Sequence, residues 1–266
     1  KIPEMLHTIL AFGVLLGVGL MVLGLLFARV ILEVSGTPES VMGEALVYIR
    51  IYLLSIPFMS VYNFGAAILR SYGDTRRPMY YLIVSGTVNV ILNLVFVIGF
   101  GMGVSGVAIA TWISNIISTI MVLYHLAKRQ DEFHLDRKQL KINKKALKKV
   151  LQIGIPAGIQ GAIFSISNVF IQSGINSFGE DAIAGSSLAL NFEYFTYDIA
   201  NAFAQAAVTF TSQNYGAGKY KRMDRVLADC MILSVGVALV LGCAAYFFGP
   251  QILQIYTDNS QVIGSG

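Results

Sequence analysis

A chain of 266 residues that is 55% hydrophobic and 13% charged, with a mean hydropathy of +0.66, is too apolar to keep a water-facing surface. That composition excludes a soluble globular domain. The net charge of +4 is spread over several short gaps between apolar stretches, which is a membrane-topology signal and not a nucleic-acid surface. Apolar stretches of about 20 residues, wound as helices, match a hydrocarbon layer roughly 30 Å thick, so the chain reads as an all-α, polytopic membrane helix bundle.

Seven spans are expected in chain order: 8–28, 45–69, 81–100, 104–126, 151–173, 184–210 and 226–249. Lysine and arginine fall in alternate gaps. Lys1 precedes the first span, and Arg70, Arg76 and Arg77 follow the second. The gap 127–149 is the most basic, and Lys219, Lys221, Arg222 and Arg225 follow the sixth span. Only Arg29 and Arg50 depart from this pattern, and the other gaps hold Glu33, Glu39, Glu44, Glu180, Asp181 and Asp258. Basic gaps stay cytoplasmic, which fixes one orientation for all seven spans. Residues 138–149 read as an amphipathic helix on the inner face, with Leu140, Ile142 and Leu147 as its apolar contacts. His7, His125 and His134 fall at cytoplasmic ends and read as solvated. Cys230 and Cys243 share one helix too far apart to pair, so they read as packing residues.

The first and seventh spans resemble each other at a fixed offset: Leu6, Leu20 and Phe27 align with Leu227, Leu241 and Phe248. Two copies running in the same direction fit a parallel two-lobe transporter. The expected organisation is a first lobe at 1–127, a basic cytoplasmic inter-lobe loop at 128–149, a second lobe at 150–263 and a tail at 264–266. A start at Lys1 and an end in Gly264-Ser265-Gly266 read as the limits of a trimmed piece.

Polar residues inside spans are costly in lipid unless paired or wetted, so their positions carry information. Asn89 and Asn93 share a helix face, and the next span brings Thr111. Their oxygens can coordinate a cation, or the three can simply hydrogen-bond helices together. The fifth span carries Gln160, Asn168 and Gln172; the sixth carries Asn191, Asp198, Gln205 and Ser212 at seven-residue steps, with Glu193 and Asn201 nearby. That stripe is expected to line an aqueous cavity. Glu193 and Asp198 can attract a cationic substrate or carry an exchangeable proton, although Glu193 also reads as an acid that simply reaches water at a helix end. Phe192, Tyr194, Phe195 and Tyr197 flank them, as aromatic partners for an organic cation or as an interfacial belt. Gly13-x-x-x-Gly17 permits close helix approach, and Pro57 and Pro156 are expected to kink their helices.

Leu69-Arg-Ser-Tyr-Gly-Asp-Thr-Arg-Arg-Pro78, then Asn89-x-x-x-Asn93 and Gly103-Val-Ser-Gly-Val-Ala-Ile-Ala-Thr111, resemble the multidrug and toxic compound extrusion (MATE) family. Ile153-Gly-Ile-Pro-Ala157 and Gln213-Asn-Tyr-Gly-Ala-Gly-Lys219 are similar to its second-lobe signatures, in family order. The resemblance implies twelve helices in two pseudo-symmetric six-helix lobes, of which this chain supplies about helices three to nine. It also implies export of organic, often cationic, compounds from a bacterial cytoplasmic membrane, by a monomer driven by inward H⁺ or Na⁺ and without any other cofactor. In the family a first-lobe cation site uses an Asn, an acid four residues later and a Thr in the following helix. Asn89 and Thr111 match, while Asn93 stands where many members carry aspartate. A second-lobe glutamate of some members is replaced here by Ile163-Phe-Ser-Ile. The Gly73-Asp74-Thr75 turn reads as a capping and gating structure in which Asp74 and Thr75 accept backbone hydrogens. The alternative within the superfamily is a lipid-linked oligosaccharide flippase, whose cavity would need cations for pyrophosphate. A membrane enzyme finds no support, since no H-E-x-x-H or G-x-S-x-G occurs.

Overall fold

A computed structural model describes residues 2–35, 37–176 and 180–254. The side chains of Asn176, Glu180, Asp181, Gln172, Asn191 and Phe192, along with Asp258, Val262 and the 264–266 tail, lie outside the described residues. Among the described residues there are eight α-helices and no strand: α1 (Ile2–Val34), α2 (Glu39–Leu53), α3 (Ile56–Ser71), α4 (Arg76–Asn93), α5 (Gly103–Lys128), α6 (Lys144–Asn176), α7 (Glu180–Gly216) and α8 (Tyr220–Gln254). A π-helical turn, Leu94–Gly99, continues α4. The chain divides into two compact units, Lys1–Ile153 and Gly154–Gly266.

Among the described residues six stretches are long and apolar enough to cross a membrane: α1, α2 with α3, α4 with its π turn, α5, the first 25 residues of α6, and Tyr220–Gly249 of α8. The expected 184–210 span forms α7, but its acids and amides keep it outside that set. The expected 45–69 span is two helices. Pro57 lies in the first turn of α3, where its missing N–H costs nothing, and the chain turns through Leu54 and Ser55 instead of kinking. The Ser55 amide (2.9 Å) and hydroxyl (2.6 Å) both donate to the Tyr52 carbonyl and satisfy it at the break. Pro156 does lie inside α6 and withholds the backbone donor that Gln152 would otherwise accept.

The expected amphipathic helix over 138–149 is absent. Arg137–Gln139 is a single 3₁₀ turn, the chain then runs without helix to Asn143, and only from Lys144 does it join α6. Asn143 sets that start, because its Oδ1 accepts from the amides of Lys145 (2.9 Å) and Ala146 (3.2 Å), an N-cap that a continuous helix would forfeit.

In the first unit, α1 packs on α3, and α3 and α2 pack on α5. The core clusters near one end, where Leu6, Leu10, Val61, Ala66, Leu69, Val122 and Leu126 are buried together. The basic gaps of this unit meet at that same end. Elsewhere the apolar side chains point outward; Ile83, Val90, Ile91 and Ile98 of α4 and its π turn are exposed, the inverse of a soluble protein's arrangement. In the second unit α7 packs along α8, and Phe164 of α6 stacks on Tyr197 of α7 with ring centres 5.7 Å apart.

Gly13 and Gly17 act as expected. A Cβ on Gly17 would lie 2.6 Å from the Pro57 Cα, and one on Gly13 equally close to the Phe64 ring. The Ser60 hydroxyl donates to the Gly13 carbonyl at 2.9 Å across this contact. Gly19, two residues on, has open space around it. Gly17→Ala must push the α3 backbone away and is expected to destabilise the protein by about 1–3 kcal/mol, the usual cost of overpacking. Gly19→Ala should match the wild type when both are unfolded by heat in detergent micelles.

Candidate functional site

The periodicity that places Asn89 and Asn93 on one face of α4 brings them against Thr111 and Ser114 of α5. The Asn89 amide donates to the hydroxyls of Thr111 and Ser114, each at 3.4 Å, and its carbonyl accepts from Asn93 Nδ2 at 3.0 Å. Thr111 Oγ1 donates down its own helix to the Val107 carbonyl at 3.0 Å, and Ser114 Oγ to the Thr111 carbonyl at 2.9 Å. The donating groups of Asn89, Asn93, Thr111 and Ser114 each have a partner, while two buried atoms here have none: Asn93 Oδ1 and, beside Thr111 in sequence, Trp112 Nε1. An orphaned carbonyl in a membrane interior costs about 1–3 kcal/mol. Asn93 lies where α4 widens into the π turn Leu94–Gly99, a local irregularity that recurs at functional sites. The three residues expected to form a cation site are therefore together, joined by Ser114, which sequence reading missed because a serine within a span gives little signal.

The Gly73-Asp74-Thr75 motif sits at the basic end, on the α3–α4 turn. Gly73 holds φ +97°, outside the range of other residues, and Asp74 caps α4 by accepting the Arg77 amide at 3.1 Å. Asp74 also pairs with the Arg77 guanidinium at 2.9 Å. Thr75 does not accept a backbone hydrogen; the cap is made one residue earlier, and Thr75 lies in the helical region. The other Arg77 contact is His125 Nε2, 2.9 Å from Nη1, so that this nitrogen is an unprotonated acceptor. Arg129 lies over the Tyr72 ring and pairs with Asp131, whose carboxyl it holds down at about 2. Burial raises the Tyr72 phenol.

In the second unit Gln160 and Asn168 of α6 and Glu193, Asp198, Asn201 and Gln205 of α7 are exposed. The stack of Phe164 on Tyr197 adjoins Asp198 in sequence. A further polar group stands in the first unit. A cavity of about 400 Å³ lies against α3, lined by Ile56, Met59, Ser60, Asn63, Phe64 and Ala67, with Asn63 exposed in it. Asn63 was legible only as one amide in an apolar run. Among the described residues no group of three or more acids, histidines or cysteines is arranged to hold a metal ion.

Several helices long and apolar enough to cross a membrane, with a polar cluster between two of them, mark a multi-pass membrane protein. The MatE family model matches residues 1–95 and 156–265, and the chain belongs to that family. It is 32% identical to the probable multidrug resistance protein YoeA of Bacillus subtilis over 99% of this chain and 58% of that protein. It is 24% identical to the multidrug export protein MepA of Staphylococcus aureus over 94% of this chain and 55% of that protein. The chain thus spans somewhat over half the length of these relatives. Among solved structures, a MOP superfamily transporter from Pyrococcus furiosus matches with a TM-score of 0.90 and 23% identity, over 98% of this chain and 59% of that one. A multidrug resistance MATE family transporter in an outward-facing conformation matches with a TM-score of 0.88 and 22% identity, over 98% and 59%.

The orphaned oxygen separates a structural role from a functional one. If the cluster only joins helices, the Asn93 Nδ2 donor is the useful part of that side chain and its orphaned Oδ1 is a cost. Asn93→Leu removes the unpaired Oδ1 but also the Nδ2 donor to Asn89 Oδ1, so the two effects offset and the thermal stability of the full-length protein should stay within about 1 kcal/mol of wild type. Thr111→Val, which removes a used partner, should lower stability.

Proposed function

We propose that the full-length protein exports organic, often cationic, compounds across a bacterial cytoplasmic membrane by alternating access, in exchange for an inward-moving cation. The observation that carries this reading is the α4–α5 cluster, with its buried acceptor left free beside a π turn. Amide and hydroxyl oxygens are hard donors suited to Na⁺. Asn89, Asn93 and Thr111 have nothing to titrate, so within this chain an exchangeable proton falls to Asp198 or Glu193. The exposed amides and acids of α6 and α7, with the Phe164–Tyr197 stack beside Asp198, supply the mixed polar and aromatic surface that suits an organic cation. Multidrug resistance and export are the activities for which YoeA and MepA are named, and that supports the same reading.

Ethidium efflux from cells expressing the full-length protein tests it, with the Na⁺ gradient and external pH varied separately. Wild-type efflux is expected to follow one ion gradient. Under Na⁺ coupling, Asn93→Leu loses that dependence while Asp198→Asn keeps it; under H⁺ coupling the two variants exchange outcomes. Well-expressed protein that exports no tested cation would overturn the reading and favour a lipid-linked substrate.

A further inference from the structure

His7 and Thr8 are adjacent on the first turns of α1, and both are buried, His7 at 3% exposure and Thr8 fully. Neither is solvated, contrary to what a position at a basic helix end implies for His7. Each reaches across to the strap 136–143, a single 3₁₀ turn followed by non-helical chain, that leads into α6. His7 Nδ1 lies 2.6 Å from the Pro3 carbonyl. A carbonyl can only accept, so Nδ1 carries the proton and Nε2 is a bare acceptor. Nε2 takes the Asp136 amide at 3.1 Å. Thr8 Oγ1 donates to the Glu4 carbonyl at 2.6 Å and accepts the Asn143 amide at 3.1 Å. Two neighbouring side chains therefore hold the two ends of the strap, across 129 and 135 residues of sequence.

The two clasps differ in chemistry. A hydroxyl keeps its acceptor at every physiological pH. An imidazole whose Nδ1 is already committed as a donor loses its one acceptor on protonation, and the new N–H then faces the Asp136 N–H. We propose that His7 is a proton-released clasp, which fastens the start of the strap to α1 when the ring is neutral and frees it when the ring is charged, while Thr8 holds the far end throughout.

The charged groups around the ring do not remove this effect. Glu4 lies one turn away on α1, and Lys138 and Lys141 of the strap line a cavity of about 390 Å³ that also contains His7 and Glu4. The Asp136 carboxylate is turned to its own side of the strap, where it accepts from the Lys138 amide at 2.9 Å and from Gln139 Nε2 at 3.0 Å. Those bonds hold its carboxyl below the usual range, so it stays ionised while an imidazole titrates. His134 precedes the strap and is occupied by the Arg129 carbonyl at 2.6 Å from Nδ1. Release would free the Asp136 end of a strap whose other end caps α6, the helix that runs from the first unit into the second.

Amide hydrogen exchange of the full-length protein in lipid nanodiscs reads the clasp directly. Peptides covering 134–143 are followed across roughly pH 5 to 8, where imidazoles titrate, with rates corrected for intrinsic exchange. Wild-type protection of this segment is expected to fall about tenfold or more on acidification, as local opening does when a fastening bond is lost. His7→Gln should abolish the step, His125→Gln should retain it, and Thr8→Val should lower protection at every pH without moving the step. Exchange at the His7 ring C2–H in the same wild-type samples gives the ring's own midpoint and needs no variant. A flat profile, a step that survives His7→Gln, or a ring midpoint more than about one pH unit from the strap's midpoint would overturn the proposal.

Discussion

Lipid offers no hydrogen bonds, so every polar group inside a span must find a partner within the protein or reach water. The organisation of this chain follows from that constraint. Backbone groups are satisfied by helices, and at the break in the Glu39–Ser71 stretch, at Leu54 and Ser55, the serine hydroxyl and amide both turn back to the Tyr52 carbonyl. Ser85, Thr87, Ser105 and Thr119 likewise spend their hydroxyls on carbonyls three or four residues earlier. Against that accounting, two buried atoms of the described residues lack a partner, Asn93 Oδ1 and Trp112 Nε1, and the acids and amides Glu193, Asp198, Asn201 and Gln205 of α7 are exposed.

The same constraint reverses the usual logic of packing. With apolar side chains facing outward into lipid, burial of hydrophobic area supplies little force between helices, and close approach must do more. Hence Gly13 and Gly17 let α1 contact Phe64 and the backbone at Pro57, and Gly65 receives Val122 of α5. At the basic end, where water returns, the joints change character to charge-assisted and aromatic contacts: Asp74 with Arg77, Arg129 over Tyr72, and Tyr72 against Phe133.

Much of this was legible in the sequence, because lipid enforces length and polarity so strictly. Apart from 184–210, whose helix is less apolar, the spans were visible from apolar runs, the Asn89–Asn93–Thr111 association from helical periodicity, and the close contact of α1 from two glycines four apart. What was not legible depends on competition between local bonds. Residues 138–149 have an amphipathic pattern, yet Asn143 caps a helix that starts later, and a pattern cannot show which start wins. Asp74 and Thr75 are equally good capping types, and only the turn set by Gly73 decides that Asp74 reaches the Arg77 amide. His7 looked like a solvated histidine because its partner, the Asp136 amide, is a backbone group 129 residues away and carries no sequence signal at all.

If lipid sets this organisation, exposed polar positions face water while exposed apolar positions face lipid. Cysteine accessibility in membranes tests it most directly, using the full-length protein with Cys230 and Cys243 replaced by serine and single cysteines placed at Asp198, at Gln205 and at Val240 of α8, which is 69% exposed. A membrane-impermeant, water-soluble thiol reagent should label positions 198 and 205 and leave 240 unlabelled, since a thiolate forms only where water reaches. Equal labelling at all three, or labelling at 240 alone, would contradict the account.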